Sequence, residues 1–217
     1  AGMSALPEAW CEVDGLVLPE GQRAALAAAY ATPARAYHNI EHVGEVLRHY
    51  RDAANEAGWP QPREVWLAVL YHDAIYQAGR SDNEALSAEF ARAQIAQWLP
   101  DAAVDVDRVV ALILLTARHG QLTPDQFDDD PDADDTRRFL DCDMAILGAS
   151  PGAFDAYDRA IAGEYRGDVP GWLFKINRRK FLKALLGKPR IYLSATFHAR
   201  LDAQARSNLR RAITTKR

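Results

Sequence analysis

The sequence predicts an all-α protein, a bundle of about eight or nine helices. Apolar residues recur at the helical spacing, most clearly at Ile40, Val43, Val46, Leu47 and Tyr50. Prolines and glycines stand where such segments would begin and end, and period-2 alternation is not sustained anywhere in the chain. The fold class therefore rests on periodicity, on helix boundary signals and on the lack of strand patterns.

The predicted helices follow one another along the chain. Proline near the first turn at Pro62 and capping residues at 81–84 mark two starts, and Gly148, Gly167 and Gly187 mark three ends. The segment 123–135 holds two prolines and seven aspartates, which predicts a solvated loop. The predicted helices cover 21–30, 40–58, 62 to the His72-Asp73 pair, 85–99, 104–117, 136–147, 151–165, 171–186 and 194–213.

Composition limits the class of protein. A chain of 217 residues is most simply one domain over 1–217, and a net charge of −4 carries no general nucleic-acid signature. No apolar window approaches the roughly 20 residues that span a bilayer, so we expect no membrane partner. Two cysteines make no disulfide framework, and the N-terminal residues lack signal-peptide features, so we expect a cytoplasmic protein.

Side chains that could bind a metal occur at three places. His72 and Asp73 stand side by side after the apolar run 65–70, and His38 and His42 are four residues apart, a spacing that puts two imidazoles on one helix face. Asp141 and Asp143 lie in an apolar context. Because an unpartnered buried carboxylate costs several kcal/mol, we expect a cation, an arginine or backbone donors near one of these two.

Taken together, His42, the His72-Asp73 pair and Asp143 resemble the H…HD…D signature of the HD-domain metal-dependent phosphohydrolases. The run Tyr37-His38-Asn39-x-x-His42 is also similar to the opening motif of cyclic-nucleotide phosphodiesterases, which are HD proteins. The arrangement is most similar to a bacterial family of small predicted HD phosphohydrolases. The resemblance covers about residues 36–208 and implies a single HD-type helical bundle.

The resemblance implies a set of metal ligands. These are His42, His72, Asp73 and Asp143, with Asp141 as the alternative for the fourth place. Two imidazole nitrogens and two carboxylate oxygens suit Mn, Fe, Co, Ni or Zn better than Ca, and Mg less comfortably. The sequence decides neither which ion binds nor whether there are one or two.

The same resemblance implies a catalytic role for His38 as the general acid, beside a water activated at the metal held by Asp73 and its partners. His119 is a candidate for a second metal ligand or a phosphate contact, although a solvent-facing helix end explains it equally well. Further candidate substrate contacts are Asn83 and Glu84, after the His-Asp pair, and Lys175 and Arg179. Helix capping is the competing explanation for the first pair, and a solvated helix face is the competing explanation for Lys175 and Arg179.

The function expected from these residues is metal-dependent hydrolysis of a phosphate ester, of monoester or diester type, on a small nucleotide. A metal-bound HD module that senses a nucleotide or acts as a scaffold is the alternative. A nucleic-acid binder could use 175–190 and the basic residues Arg210, Arg211, Lys216 and Arg217, but the acidic total and the lack of interleaved aromatic residues disfavour it. The oligomeric state stays open, with a homodimer among the options.

Overall fold

The computed structural model describes residues 5–215, so Lys216 and Arg217 of the basic tail lie outside the described residues. The described part is an all-α protein with nine α-helices and one small two-stranded sheet, which confirms the predicted fold class. The chain divides into two compact units, Ala1–Ala117 and Arg118–Arg217. The single-domain organisation stays a prediction. Among the described residues, no helix is both long and apolar enough to cross a membrane.

The first unit holds five helices after a short hairpin. The strands of the hairpin are two residues each and pair antiparallel, Glu12 with Val17 and Val13 with Leu16. They are too short for an alternating pattern, which is why the sequence did not predict them. The elements are a 3-10 helix Glu8–Trp10, β1 Glu12–Val13, β2 Leu16–Val17, α1 Glu20–Ala31, α2 Ile40–Glu56, α3 Pro62–Tyr71, α4 Asn83–Trp98 and α5 Val106–Leu115.

Helix α3 is the central helix of the first unit. Every residue from 64 to 71 is buried, because α2, α4 and α5 all pack against this helix. A helix that is apolar on all sides is stable only inside a core. The hydroxyl of Tyr30 donates to the carbonyl oxygen of Leu70 at 2.7 Å, so the last turn of α3 is also tied to α1. The end of α3 is therefore held rigidly where His72 and Asp73 follow.

The described part of the second unit holds four helices and two short 3-10 segments. The segment 123–135 is less irregular than predicted, because a 3-10 turn with a capping box occupies Pro124–Phe127. Arg137 also orders this segment through ion pairs with Asp128 and Asp134. The elements are 3-10 helices Pro124–Phe127 and Ala145–Gly148, α6 Ala133–Met144, α7 Pro151–Tyr165, α8 Gly171–Leu186 and α9 Ala195–Thr214.

The contact of α1 with α4 depends on a glycine. A Cβ atom added at Gly21 would lie 2.1 Å from the ring of Trp98, whereas one added at Gly163 in α7 would meet nothing within 4 Å. We expect Gly21→Ala to lower the free energy of unfolding by roughly 1–3 kcal/mol, because the ring must move. Gly163→Ala should raise it by about 0.5–1 kcal/mol through helix propensity. Thermal unfolding followed by circular dichroism measures both, and equal shifts would contradict the close packing.

Candidate metal centre

The first turn of α2 places His42. The side chain of Asn39 caps this helix by accepting from the backbone N–H groups of Glu41 at 3.0 Å and of His42 at 3.4 Å. His38 lies two residues before the helix begins, so the prediction that the two histidines share one helix face is wrong. Their rings nevertheless lie 5.8 Å apart, because the chain bends immediately before the cap.

The C-terminal end of α3 places His72 and Asp73. His72 is the C-cap residue, and its Nδ1 lies 2.7 Å from the carbonyl oxygen of Val69. Because a carbonyl oxygen only accepts, Nδ1 must carry the proton in that bond. The lone pair of a neutral His72 is then on Nε2, which lies 3.4 Å from Nε2 of His42 and 2.9 Å from Oδ2 of Asp73.

These three side chains aim electron-rich atoms at one another. Nε2 of His42 lies 3.2 Å from the same Oδ2 of Asp73, and both histidines are buried. Burial raises the pKa of Asp73, but positive charge on His72 and His38 and hydrogen bonds donated by His42 and His72 lower it more, so the pKa lies well below its usual range. Nitrogen lone pairs facing a carboxylate at these distances repel unless a proton or a cation lies among them.

A fourth ligand atom completes the candidate centre. His42, His72, Asp73 and Asp143 each offer one ligand atom, and the four atoms all lie within 4.8 Å of one another. Two imidazole nitrogens and two carboxylate oxygens form a donor set that divalent transition metals accept. This cluster could therefore hold a metal ion, as the sequence predicts, although the geometry does not identify the metal.

The two aspartates of α6 have different surroundings. Asp141 is buried and accepts from the backbone N–H groups of Leu193 and Ser194, one on each carboxylate oxygen, both at 2.8 Å. Burial raises the pKa of Asp141 to about 7, while these donors act in the opposite direction. Because Ser194 is the N-cap of α9, Asp141 holds the start of that helix. The geometry favours Asp143 over Asp141 as the fourth ligand.

His119 lies in the turn after the 3-10 segment Thr116–Arg118 and contacts a carboxylate oxygen of Asp143 through Nε2. An imidazole in contact with a carboxylate oxygen can orient that carboxylate, and metal-ligating carboxylates commonly have such a neighbour. The exposure of His119 is partial, since about a fifth of its side chain, 21%, reaches solvent. Its predicted role as a ligand or phosphate contact stays a prediction.

The segment that follows Asp73 is fastened to α4. Asn83 accepts from the backbone N–H of Gln77 at 3.0 Å and donates to the carbonyl oxygen of the same residue at 2.9 Å. Ser87 makes the equivalent pair of bonds with the backbone of Ile75, at 3.0 Å each. The amide of Asn83 is thus engaged in positioning this turn, and a substrate contact for Asn83 or for half-buried Glu84 stays a prediction.

The predicted basic contacts lie on α8, in the second unit. Lys175 and Arg179 are exposed on this helix. Their neighbour Arg178 points inward, where it pairs with Asp158 at 3.1 Å and lies over the ring of Tyr157. Both side chains face solvent, which agrees with the alternative explanation of a solvated helix face. A contact of Lys175 or Arg179 with substrate remains a prediction.

Sequence reasoning missed Arg35, the residue that ties the centre together. Its Nη1 donates to the carbonyl oxygens of His38 at 3.0 Å and Asp73 at 2.7 Å. Its Nη2 donates to those of Ala29 at 2.8 Å and Ala74 at 2.9 Å. One guanidinium therefore joins α1, the loop before α2 and the turn after α3. Nothing in the sequence marks it beyond its place shortly before Tyr37-His38-Asn39.

Tyr76 is a second residue that sequence reasoning missed. Its ring stacks on that of His38, with the centroids 4.1 Å apart and the planes 23° from parallel. The guanidinium of Arg35 lies 5.9 Å from the centre of the same tyrosine ring. The stack restricts the orientation of the His38 imidazole, which stands beside the ligand cluster and outside it.

Comparisons of this chain with models of protein families, with curated proteins and with solved structures find no match. The account of the centre therefore rests on the sequence and on the geometry given above.

Replacing Arg35 tests whether it positions the centre. We expect Arg35→Met to lower the affinity for Mn²⁺, measured by calorimetry, by roughly tenfold or more, because Asp73 and His38 lose a shared anchor. Arg63 is the matched control, since it also donates to a backbone carbonyl, that of Asp14 at 2.7 Å, outside the cluster. Arg63→Met should lower stability without changing Mn²⁺ affinity. Equal affinity in both variants would contradict the positioning role.

A pair of isosteric substitutions separates the roles of the two aspartates. Asp141→Asn puts an amide NH₂ against a backbone donor and should lower the free energy of unfolding by roughly 1–3 kcal/mol, with metal content retained. Asp143→Asn should leave stability nearly unchanged and lower metal content. Calorimetric unfolding and elemental analysis measure the two effects. Loss of metal in Asp141→Asn without loss of stability would identify Asp141 as the ligand.

Asp141→Asn should also change the way in which the free energy of unfolding depends on pH. The folded pKa of Asp141, about 7, lies above the ordinary value near 3.9, so the folded chain binds an extra proton between these values. The contribution of Asp141 to the free energy of unfolding is then greatest at low pH and falls as the pH rises through this window. Asp141→Asn should lack that part of the slope.

Proposed function

We propose that this protein is a metal-dependent phosphohydrolase of the HD-domain superfamily. The observation that carries the proposal is the convergence of His42, His72, Asp73 and Asp143 on one point, with ligand atoms within 4.8 Å of one another. The order of these residues along the chain is that of the H…HD…D signature, and all four stand on or next to helices of an all-α protein.

In the proposed mechanism, four side chains would bind the metal ion and Arg35 would position two of the residues around it. His42 and His72 present their Nε2 atoms, and Asp73 and Asp143 present carboxylate oxygens, so these four side chains would hold the ion. Mn, Fe, Co, Ni and Zn suit this donor set, and Mg suits it less. When bound, such an ion supplies Lewis acidity that activates water and offsets negative charge on a phosphoryl oxygen. Arg35 keeps the turn that carries Asp73 in register with the loop that carries His38.

His38 is the proposed general acid. It is half-buried, is not part of the ligand cluster, and its ring is fixed by the stack on Tyr76 at 4.1 Å. An imidazole can both accept and donate a proton, so it can pass one to a leaving oxygen. The proton would move from a nitrogen of His38 to the ester oxygen of the leaving alcohol.

The proposed substrate is a phosphate ester of a small nucleotide. This part rests on the similarity of Tyr37-His38-Asn39-x-x-His42 to the opening motif of cyclic-nucleotide phosphodiesterases. Asn83, Glu84, His119, Lys175 and Arg179 remain the candidates for substrate contact. The same centre serves monoesters and diesters, so the screen must include both.

Two substitutions separate metal binding from proton transfer. Asp73→Ala should lose both bound metal and phosphate release, because it removes a ligand of the cluster. His38→Ala should keep the metal and lower turnover by roughly 10²–10⁴-fold, the usual contribution of a general acid. Elemental analysis gives the metal content, and phosphate release from nucleotides, with and without added Mn²⁺, gives the activity. A linked phosphatase detects diester products.

The matched control is His49, which lies two turns further along α2 and is not in the cluster. His49→Ala should change neither metal content nor turnover. Full activity in metal-free Asp73→Ala protein would contradict the mechanism. Stoichiometric metal with no release from any nucleotide would favour the alternative function, a metal-bound module that senses a nucleotide or acts as a scaffold.

A further inference from the structure

The charges of this chain are unevenly distributed. Residues 169–201 include eight of its 26 lysines and arginines and none of its 30 aspartates and glutamates. The chain as a whole has a net charge of −4, so the charge of this segment is opposite in sign to that of the whole chain. The segment contains all of α8, Gly171–Leu186, which carries five of the eight basic residues and no acidic one. A local basic surface on an acidic protein favours anionic partners.

The outward side of α8 combines these charges with exposed apolar side chains. Trp172 is 67% exposed and Ile176 is 53% exposed, the two highest values among the exposed large hydrophobic residues of the described chain. They are four residues apart, so both project to the same side. At about 100° per residue, this side also carries Lys183, with Arg179 and Lys180 flanking it. We call these five residues the α8 basic face.

Other side chains of α8 pack into the core or form ion pairs. Leu182 and Leu185 are buried on other sides of α8, and Arg178 pairs with Asp158. By contrast, no carboxylate of the described residues forms an ion pair with Arg179, Lys180 or Lys183, and all three side chains are exposed. The face therefore presents cations that are not neutralised by the described part of the protein itself.

We propose that the α8 basic face binds an anionic lipid surface, with Trp172 and Ile176 entering the headgroup region and the cations contacting the headgroups. A lipid surface offers negative charge above an apolar layer, and tryptophan is favoured at that level. Each lysine or arginine near such a surface contributes about a fivefold gain in partitioning. The sequence led us to expect no membrane partner because no segment is long enough to span a bilayer. A helix that lies in the membrane interface does not need such a segment.

The size and chemistry of the face favour lipid over other anionic partners. A helix of 16 residues is about 24 Å long, and five outward side chains are few against the roughly 20–30 residues per side of a stable protein interface. A single-stranded nucleic acid would stack on Trp172, but its bases gain no stacking from the aliphatic Ile176 next to it. In a lipid surface, both Trp172 and Ile176 would be buried in the headgroup region.

Vesicle sedimentation of the full chain tests the proposal. We expect binding to vesicles of phosphatidylcholine mixed with phosphatidylserine, weakened by salt, and little binding to phosphatidylcholine alone. Lys180→Gln and Lys183→Gln should each lower the partition coefficient about fivefold. Trp172→Ser should lower it about tenfold. Arg48→Gln and Leu86→Ser, which change exposed residues of other helices, are the matched controls and should bind as the unaltered chain does.

A spectral readout separates insertion of α8 from general adsorption. Trp172→Phe keeps an aromatic side chain and should still bind, but the blue shift of tryptophan emission on binding should be lost. Binding that is equal in Trp172→Ser and in the unaltered chain would overturn the proposal, and so would equal binding to neutral vesicles. Affinity for oligo-dT, or a dimer that depends on Trp172, in the absence of vesicle binding would also overturn it. Circular dichroism verifies that the variants are folded.

Discussion

The hydrogen bond from Nδ1 of His72 to the carbonyl oxygen of Val69 sets the tautomer of His72 in the candidate centre. It uses the last turn of α3 as an acceptor, and it thereby puts the lone pair of the imidazole on Nε2. That lone pair points at Oδ2 of Asp73, 2.9 Å away, and at Nε2 of His42, 3.4 Å away. Such an arrangement of acceptors is stable only around a cation or shared protons. The electrostatics of the centre thus follow from one backbone carbonyl.

The rigidity of this centre comes from backbone bonds made by side chains that are not ligands. Arg35 bonds the carbonyl oxygens of both His38 and Asp73, and Asn83 and Ser87 fasten the turn beyond Asp73 to α4. Helix α3 contributes by being buried on all sides, so its end cannot shift without disturbing the core. The turn that carries Asp73 is thus connected by side-chain hydrogen bonds to α4 and, through Arg35, to the end of α1.

Charge is separated in this chain between a buried acidic centre and an exposed basic helix. Asp73 and Asp143 are partly or largely shielded from solvent, with 15% and 10% of their side chains exposed, so their charge requires a local partner. The cations of α8 face water and act at longer range, subject to screening by salt. A metal centre and a docking face need opposite burial, and the four candidate metal ligands share no residue with the α8 basic face.

Sequence alone predicted the fold class, because helical periodicity is a local property. The resemblance to the H…HD…D signature indicated the four candidate ligands, with Asp141 as the alternative for the fourth place. Only the tertiary structure decided the rest. Asp141 was an alternative ligand until its two oxygens were found on the backbone of Leu193 and Ser194. Arg35 carried no signal, because its partner Asp73 is 38 residues away and contributes a carbonyl oxygen that every residue has. Any residue can supply a backbone carbonyl oxygen, so a hydrogen bond to the backbone cannot be predicted from the identity of the residue that accepts it. Such bonds are seen only in the folded structure.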